Sequence, residues 1–193
     1  MNRSIKQLSL FLVLLFSAFS QTAFAHFHYE LSVNSAFQAN HNNQLESMKI
    51  SWTYDDEVSG LMLKDQPDIK KLEKKLIKDL EKLAYFTSLK LNGKAIKTKK
   101  VTTFNLKEIK HDDYSNLKFT FTLPLETPIQ LNGKNSIVIN HEDATLSAII
   151  YYENPQSFVF DKALNANCTL DIVEKTDFEE GESPQDVTVV CES

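Results

Sequence analysis

The chain has 193 residues, with 21 Lys+Arg against 26 Asp+Glu and a net charge of -5. Its 42% hydrophobic content sits near the globular average, which excludes wholesale disorder and a multi-span membrane protein. A pI of about 5.6 argues against nucleic acid as a main partner, and two cysteines without a CxxC pair exclude zinc ribbons and thioredoxin-type redox sites.

At the start, Arg3 and Lys6 precede an apolar run from Leu8 to Phe19, followed by Ser20-Gln21-Thr22 and the small-x-small triplet Ala23-Phe24-Ala25. That order is expected of a secretory signal cleaved after Ala25, leaving residues 26–193 as a single exported β-rich domain. An uncleaved anchor is the alternative, although the run is shorter than the ~20 residues of a membrane span. No other stretch is long enough to span, so no integral membrane segment is expected after cleavage. Cleavage leaves 168 residues, and the loss of Arg3 and Lys6 takes the charge to -7. Such a length suits one domain, burying ~70% of its unfolded surface.

From His28 to Ala39, Tyr29, Leu31, Val33, Ser35 and Phe37 alternate onto one face. A turn-rich Asn40-His41-Asn42-Asn43 and a second alternating run, Leu45 to Tyr54, complete an expected β-hairpin. Asp55 to Lys64 breaks the period and reads as a short helix or an irregular connection. Asp65, as a cap, and Pro67, in the first turn, open the one strong helix, in which Ile69, Leu72, Leu76, Ile77, Leu80, Leu83 and Ala84 recur at helical spacing. Its other face carries Lys70, Lys71, Lys74, Lys75, Lys78 and Lys82. Those lysines form either a solvated face or a dock for an acidic partner or membrane surface.

Strands are expected at residues 88–91 and 94–96 around an Asn92-Gly93 turn, then at 100–106, 117–123, 136–140, 146–152, 168–174 and 187–191. The fold class is therefore mainly β with one long inserted helix (α+β), as antiparallel sandwich-like sheets closed by a C-terminal disulfide. Cys168 and Cys191 are the only cysteines, and an oxidising compartment joins them; a metal-thiolate pair is the alternative.

Catalytic patterns are absent: there is no GxSxG elbow, phosphate loop, HExxH helix or Gly-rich dinucleotide turn, so no enzyme activity is expected. The exception is the start created by cleavage, His26-Phe27-His28 with a free α-amine. Residues i and i+2 of an extended segment face the same way. Amine and imidazole nitrogens release protons near neutral pH, and together they suit zinc, nickel, cobalt or copper rather than calcium or magnesium. If the hairpin turn is centred between His41 and Asn42, opposed residues sum to about 83, which sets His28 opposite Asp55 and His26 opposite Glu57. Asp55-Asp56-Glu57 could then supply an oxygen ligand or orient an imidazole. A second cluster, His141-Glu142-Asp143, is expected at a turn between two late strands, as further ligands or as a solvated polar turn. His41 and His111 are expected in solvated loops, and Trp52, Tyr54, Tyr85 and Phe86 in the core.

In that order, His26-Phe27-His28, Trp52-Thr53-Tyr54-Asp55-Asp56-Glu57, Tyr85-Phe86, Leu91-Asn92-Gly93-Lys94, Phe121-Thr122-Leu123-Pro124-Leu125 and the Cys168 segment resemble the domain of unknown function 1007 family, over nearly the whole mature chain. Phe27 stands where the family usually has Pro, making the start less rigid. The resemblance implies a periplasmic component of an uncharacterised transport system, associated with transporters of nickel, cobalt or zinc. The expected function is metal handling: capture of a divalent transition ion by His26 and His28, with Asp55, Glu57, Asp143 or His141 completing the shell, and delivery to an inner-membrane metal transporter. The alternatives are a non-catalytic envelope interaction module with no metal requirement and, more remotely, a copper enzyme with an N-terminal histidine brace.

Overall fold

Alternation of apolar and polar residues builds the opening hairpin. In the computed structural model, which describes residues 29–143, 147–164, 166–174 and 185–192, strand β1 (Tyr29–Ala39) buries Leu31, Val33, Ser35 and Phe37. Strand β2 (Leu45–Tyr54) buries Met48, Ile50, Trp52 and Tyr54 against them. The two pair antiparallel with Leu31 opposite Tyr54 and Val33 opposite Trp52, so opposed residues sum to 85 rather than the expected 83. The turn is the reason. Asn40 Oδ1 accepts the backbone N–H groups of Asn42 and Gln44, Asn43 turns left-handed at φ 60°, and the register shifts between Gln38 and Ala39. A displacement of two keeps every side chain on its expected face.

Two helices follow: the first takes the short-helix alternative for residues 55–64, and the second is the strong helix expected after it. Helix α1 (Asp56–Asp65) is capped by Asp55, whose Oδ1 accepts the Val58 N–H at 2.7 Å. Helix α2 (Ile69–Lys82) is capped by Asp68, whose side chain accepts from the Lys70 and Lys71 N–H groups, so the cap is not Asp65, and Pro67 precedes the cap rather than lying in the first turn; the helix ends at Lys82, short of Leu83 and Ala84. A 3-10 turn, Ala84–Phe86, carries three consecutive left-handed residues, at φ 49°, 55° and 48°. Such backbone costs ~1–2 kcal/mol per non-Gly residue. Buried Tyr85 and Phe86 hold it: the Tyr85 hydroxyl accepts the Val101 N–H, and Phe86 stacks on Trp52.

The remaining strands are β3 (Thr87–Leu91), β4 (Lys94–Ile96), β5 (Thr103–Lys110), β6 (Ser115–Ile129), β7 (Lys134–His141), β8 (Ala148–Tyr151), β9 (Phe158–Phe160), β10 (Asn167–Glu174) and β11 (Gln185–Glu192). Asn92 (φ 48°) and Gly93 (φ 81°) make the expected tight turn between β3 and β4. A six-stranded sheet runs β5-β6-β2-β1-β8, with β9 also paired to β1, and a five-stranded sheet runs β10-β11-β7-β3-β4. Both β8 and β9 pair parallel to β1, which corrects the expectation of wholly antiparallel sheets. Side chains of the two sheets meet in one core around Trp52, Phe119, Phe121, Ile137 and Val189. Cys168 and Cys191 are directly opposed on β10 and β11 and form the expected disulfide. Among the described residues, no helix is long and apolar enough to cross a membrane.

Candidate functional site at the start of β1

His26 and His28 lie outside the described residues, and so does the expected signal segment. What the structure gives is the surroundings of the residues that follow them. The Tyr29 N–H donates to the Ser147 carbonyl as β1 pairs with β8. The next amide, Glu30 N–H, donates to Asp55 Oδ2 at 3.0 Å. Asp55 therefore serves two backbones, the cap of α1 through Oδ1 and the entry of β1 through Oδ2. Each oxygen of an ionised carboxylate has a second lone pair, so these bonds do not exhaust it.

Asp143 borders the same entry. It is only 4% exposed, and its Oδ2 accepts the N–H groups of Ser147 and Ala148 at 3.2 and 3.1 Å. Its charge reaches the Tyr29 phenol, which burial first and Asp143 second push up to about 12. Tyr29 in turn stacks on Tyr54, whose hydroxyl is raised further by full burial. The aromatic pair therefore stays neutral, while Asp55 and Asp143 bring carboxylates to the entry of the strand. Glu57, in contrast, is exposed in the first turn of α1, and its side chain makes no hydrogen bond or ion pair with the described residues.

His141 is not at a solvated turn: it ends β7, opposite Thr87, and is 5% exposed. Its Nδ1 lies 3.0 Å from Thr87 Oγ1 and its Nε2 2.8 Å from the Tyr152 hydroxyl. The Thr87 hydroxyl donates to the Tyr85 carbonyl, so it can only accept from Nδ1–H. Nε2 must then accept from Tyr152, and Tyr152 from Ser35 Oγ at 2.8 Å. This directed chain ties β1 of one sheet to β7 and β3 of the other. Desolvation lowers the His141 pKa to about 4, against a weaker opposing pull from the Phe86 carbonyl. Both ring nitrogens are committed, which leaves His141 as an inter-sheet link with no lone pair for an ion.

Among the described residues, no group of three or more His, Cys, Asp or Glu side chains could hold a metal. An open hollow of about 540 Å³ lies elsewhere, between α1 and the β5–β6 turn, lined by Asp56, Leu63, Glu108 and the stacked His111 and Tyr114. Sequence reasoning missed Thr87, Tyr152 and Ser35 as partners of His141. Ser35 alone left a trace, as a hydroxyl at an inward position of an otherwise apolar face.

These features define a two-sheet β domain with two helices, a C-terminal disulfide and two carboxylates at the entry of its first strand. The chain belongs to the DUF1007 family, described as a protein of unknown function, whose family profile matches residues 11–187. No curated protein matches the sequence. Among solved structures it is similar to acetylcholine-binding protein type 1 of Biomphalaria glabrata, at 9% identity and TM-score 0.36, covering 90% of this chain and 89% of that one. It is also similar to the acetylcholine-binding protein of Bulinus truncatus, at 11% identity and TM-score 0.36, covering 95% and 97%.

Proposed function

We propose that the protein is a periplasmic metal-handling component, which takes up a divalent transition ion and passes it to a membrane transporter. The observation that carries this reading is the position of Asp55 and Asp143. Two carboxylates from distant parts of the chain border Tyr29 and Glu30, the residues that directly follow His26-Phe27-His28. In this reading His26, through its ring and the α-amine released by cleavage, and His28 supply the nitrogen donors. Asp143 and Asp55 supply oxygen or orient an imidazole. A set with few protein donors leaves an open position, which suits an ion that is to be handed on rather than kept.

Zinc, nickel and cobalt titrations of the secreted chain, with its N-terminus confirmed by intact mass, test this. One ion per chain is expected, with affinity falling at least tenfold in Asp143→Asn and lost in the double variant His26→Ala, His28→Ala. An affinity that both variants leave unchanged rejects the reading.

A further inference from the structure

Lysine is spread unevenly along the chain. Residues 64–110 hold 14 Lys and no Arg against six acidic residues, a net charge of +8, whereas residues 26–63 and 111–193 together carry -15. The fold gathers the basic stretch on one side. Strand β4 is the edge of one sheet, β5 is the edge of the other, and only residues 97–102 separate them. Helix α2 packs on β5, with the buried Glu73 carboxylate accepting the Leu106 N–H at 2.8 Å. Lys100 reaches Glu81 at 2.7 Å and fastens the β4–β5 connection to the end of the helix.

Within α2 the lysines are focused further. At ~100° per residue, Lys70, Lys71, Lys74, Lys75, Lys78 and Lys82 fall in an arc of about 140°, opposite Leu72, Leu76 and Leu80. Several pair with Asp65, Asp68, Glu73 or Asp79, yet the paired lysine side chains remain 60 to 72% exposed. Exposed pairs of this kind bind weakly and exchange readily for other anions. Lys74 and Lys78, one turn apart at the centre of the arc, have no ion-pair partner among the described residues.

We propose that this side, α2 together with the Lys97–Lys100 connection, is a docking surface for a layer of anionic phospholipid headgroups. Charge complementarity selects an anionic surface, and lysines spread over a helix and a neighbouring connection suit a layer of charge rather than one bound group. Mobile lysine point charges match lipids that rearrange beneath them. The acidic remainder of the protein, repelled by the same headgroups, orients the molecule with α2 toward the lipid.

Vesicle co-flotation in low salt with EDTA present tests this independently of any bound metal. The secreted chain is expected to float with vesicles of 70% phosphatidylcholine and 30% phosphatidylglycerol, and not with phosphatidylcholine alone. Each lysine near such a surface contributes about fivefold to binding, so Lys74→Gln with Lys78→Gln should weaken it about 25-fold. Lys134→Gln with Lys162→Gln, outside the face, should leave it unchanged, and 0.5 M salt should abolish it. Equal flotation of the Lys74/Lys78 variant and the parent, or no flotation on anionic vesicles, overturns the proposal. So does a lysine-dependent self-association seen by sedimentation without lipid, which would make the acidic side of a second copy the occupant. Binding of a DNA oligonucleotide in place of vesicles overturns it as well.

Discussion

Acidification should weaken the native state through His141, by an amount the buried chain sets. Folded, the ring titrates near 4; unfolded, near 6.5. Between those values the unfolded chain binds a proton that the native chain refuses, so stability falls as pH falls. It is fully present above about 6.5, and a shift of about 2.5 units at ~1.4 kcal/mol each makes the loss about 3 kcal/mol by pH 4. The hydrogen-bond directions explain the refusal. A proton on Nε2 would face the Tyr152 hydroxyl proton already donated to it, and Nδ1–H already points at Thr87 Oγ1. Carboxylates titrate in the same range, so the informative quantity is a difference between variants. Urea unfolding from pH 7 to 4 should show a steeper loss for the parent than for His141→Gln, with a gap of roughly 1–2 M in the midpoint shift. The imidazole resonances of the folded protein should stay those of a neutral ring down to pH 5. Identical pH slopes in the two proteins, or a native ring titrating between 6 and 7, would refute the reasoning.

Other consequences are local. Ala84→Gly should stabilise the protein by about 0.5–1 kcal/mol in urea unfolding, because glycine relieves φ 49° at an exposed position while losing more chain entropy; a destabilised variant would show that the turn is not strained. Reducing Cys168–Cys191, which closes 23 residues, should cost about 3 kcal/mol, read as a lower urea midpoint in dithiothreitol. Asp55→Ala should cost about 1–2 kcal/mol by uncapping α1, whereas Asp55→Asn retains the cap and should differ little in thermal unfolding. If Asp55 also serves the ion, the Asn variant binds metal more weakly at unchanged stability.

Much of the fold was legible where a side-chain period was long and clean. The inward set Leu31, Val33, Ser35 and Phe37 and the apolar stripe of α2 were read directly, and so was the Asn92-Gly93 turn, because left-handed backbone demands those residues. Parallel pairing of β8 and β9 with β1 was not legible. It depends on a long-range return of the chain, and strands of four and three residues carry almost no period. The hairpin register was missed by two because Asn40 organises a longer turn through its own side chain. Of the site, Asp55 was found as an acid near the strand entry but not as a cap, since either role calls for the same residue. His141 was misplaced because a histidine beside Glu142 and Asp143 reads as polar surface, whereas its partners Thr87 and Tyr152 lie 54 and 11 residues away. The whole-chain charge of -5 concealed a +8 segment, because a sum carries no distribution.

Whether the proposed ion site exists is tested most directly by calorimetric zinc titration of protein shown by mass to begin at His26, compared with the same protein carrying one extra residue before it. The account predicts one ion per chain with the native start. Affinity should drop sharply in the extended form, whose α-amine is displaced from His26 while both imidazoles remain. Equal heats and equal affinity in the two proteins would contradict it.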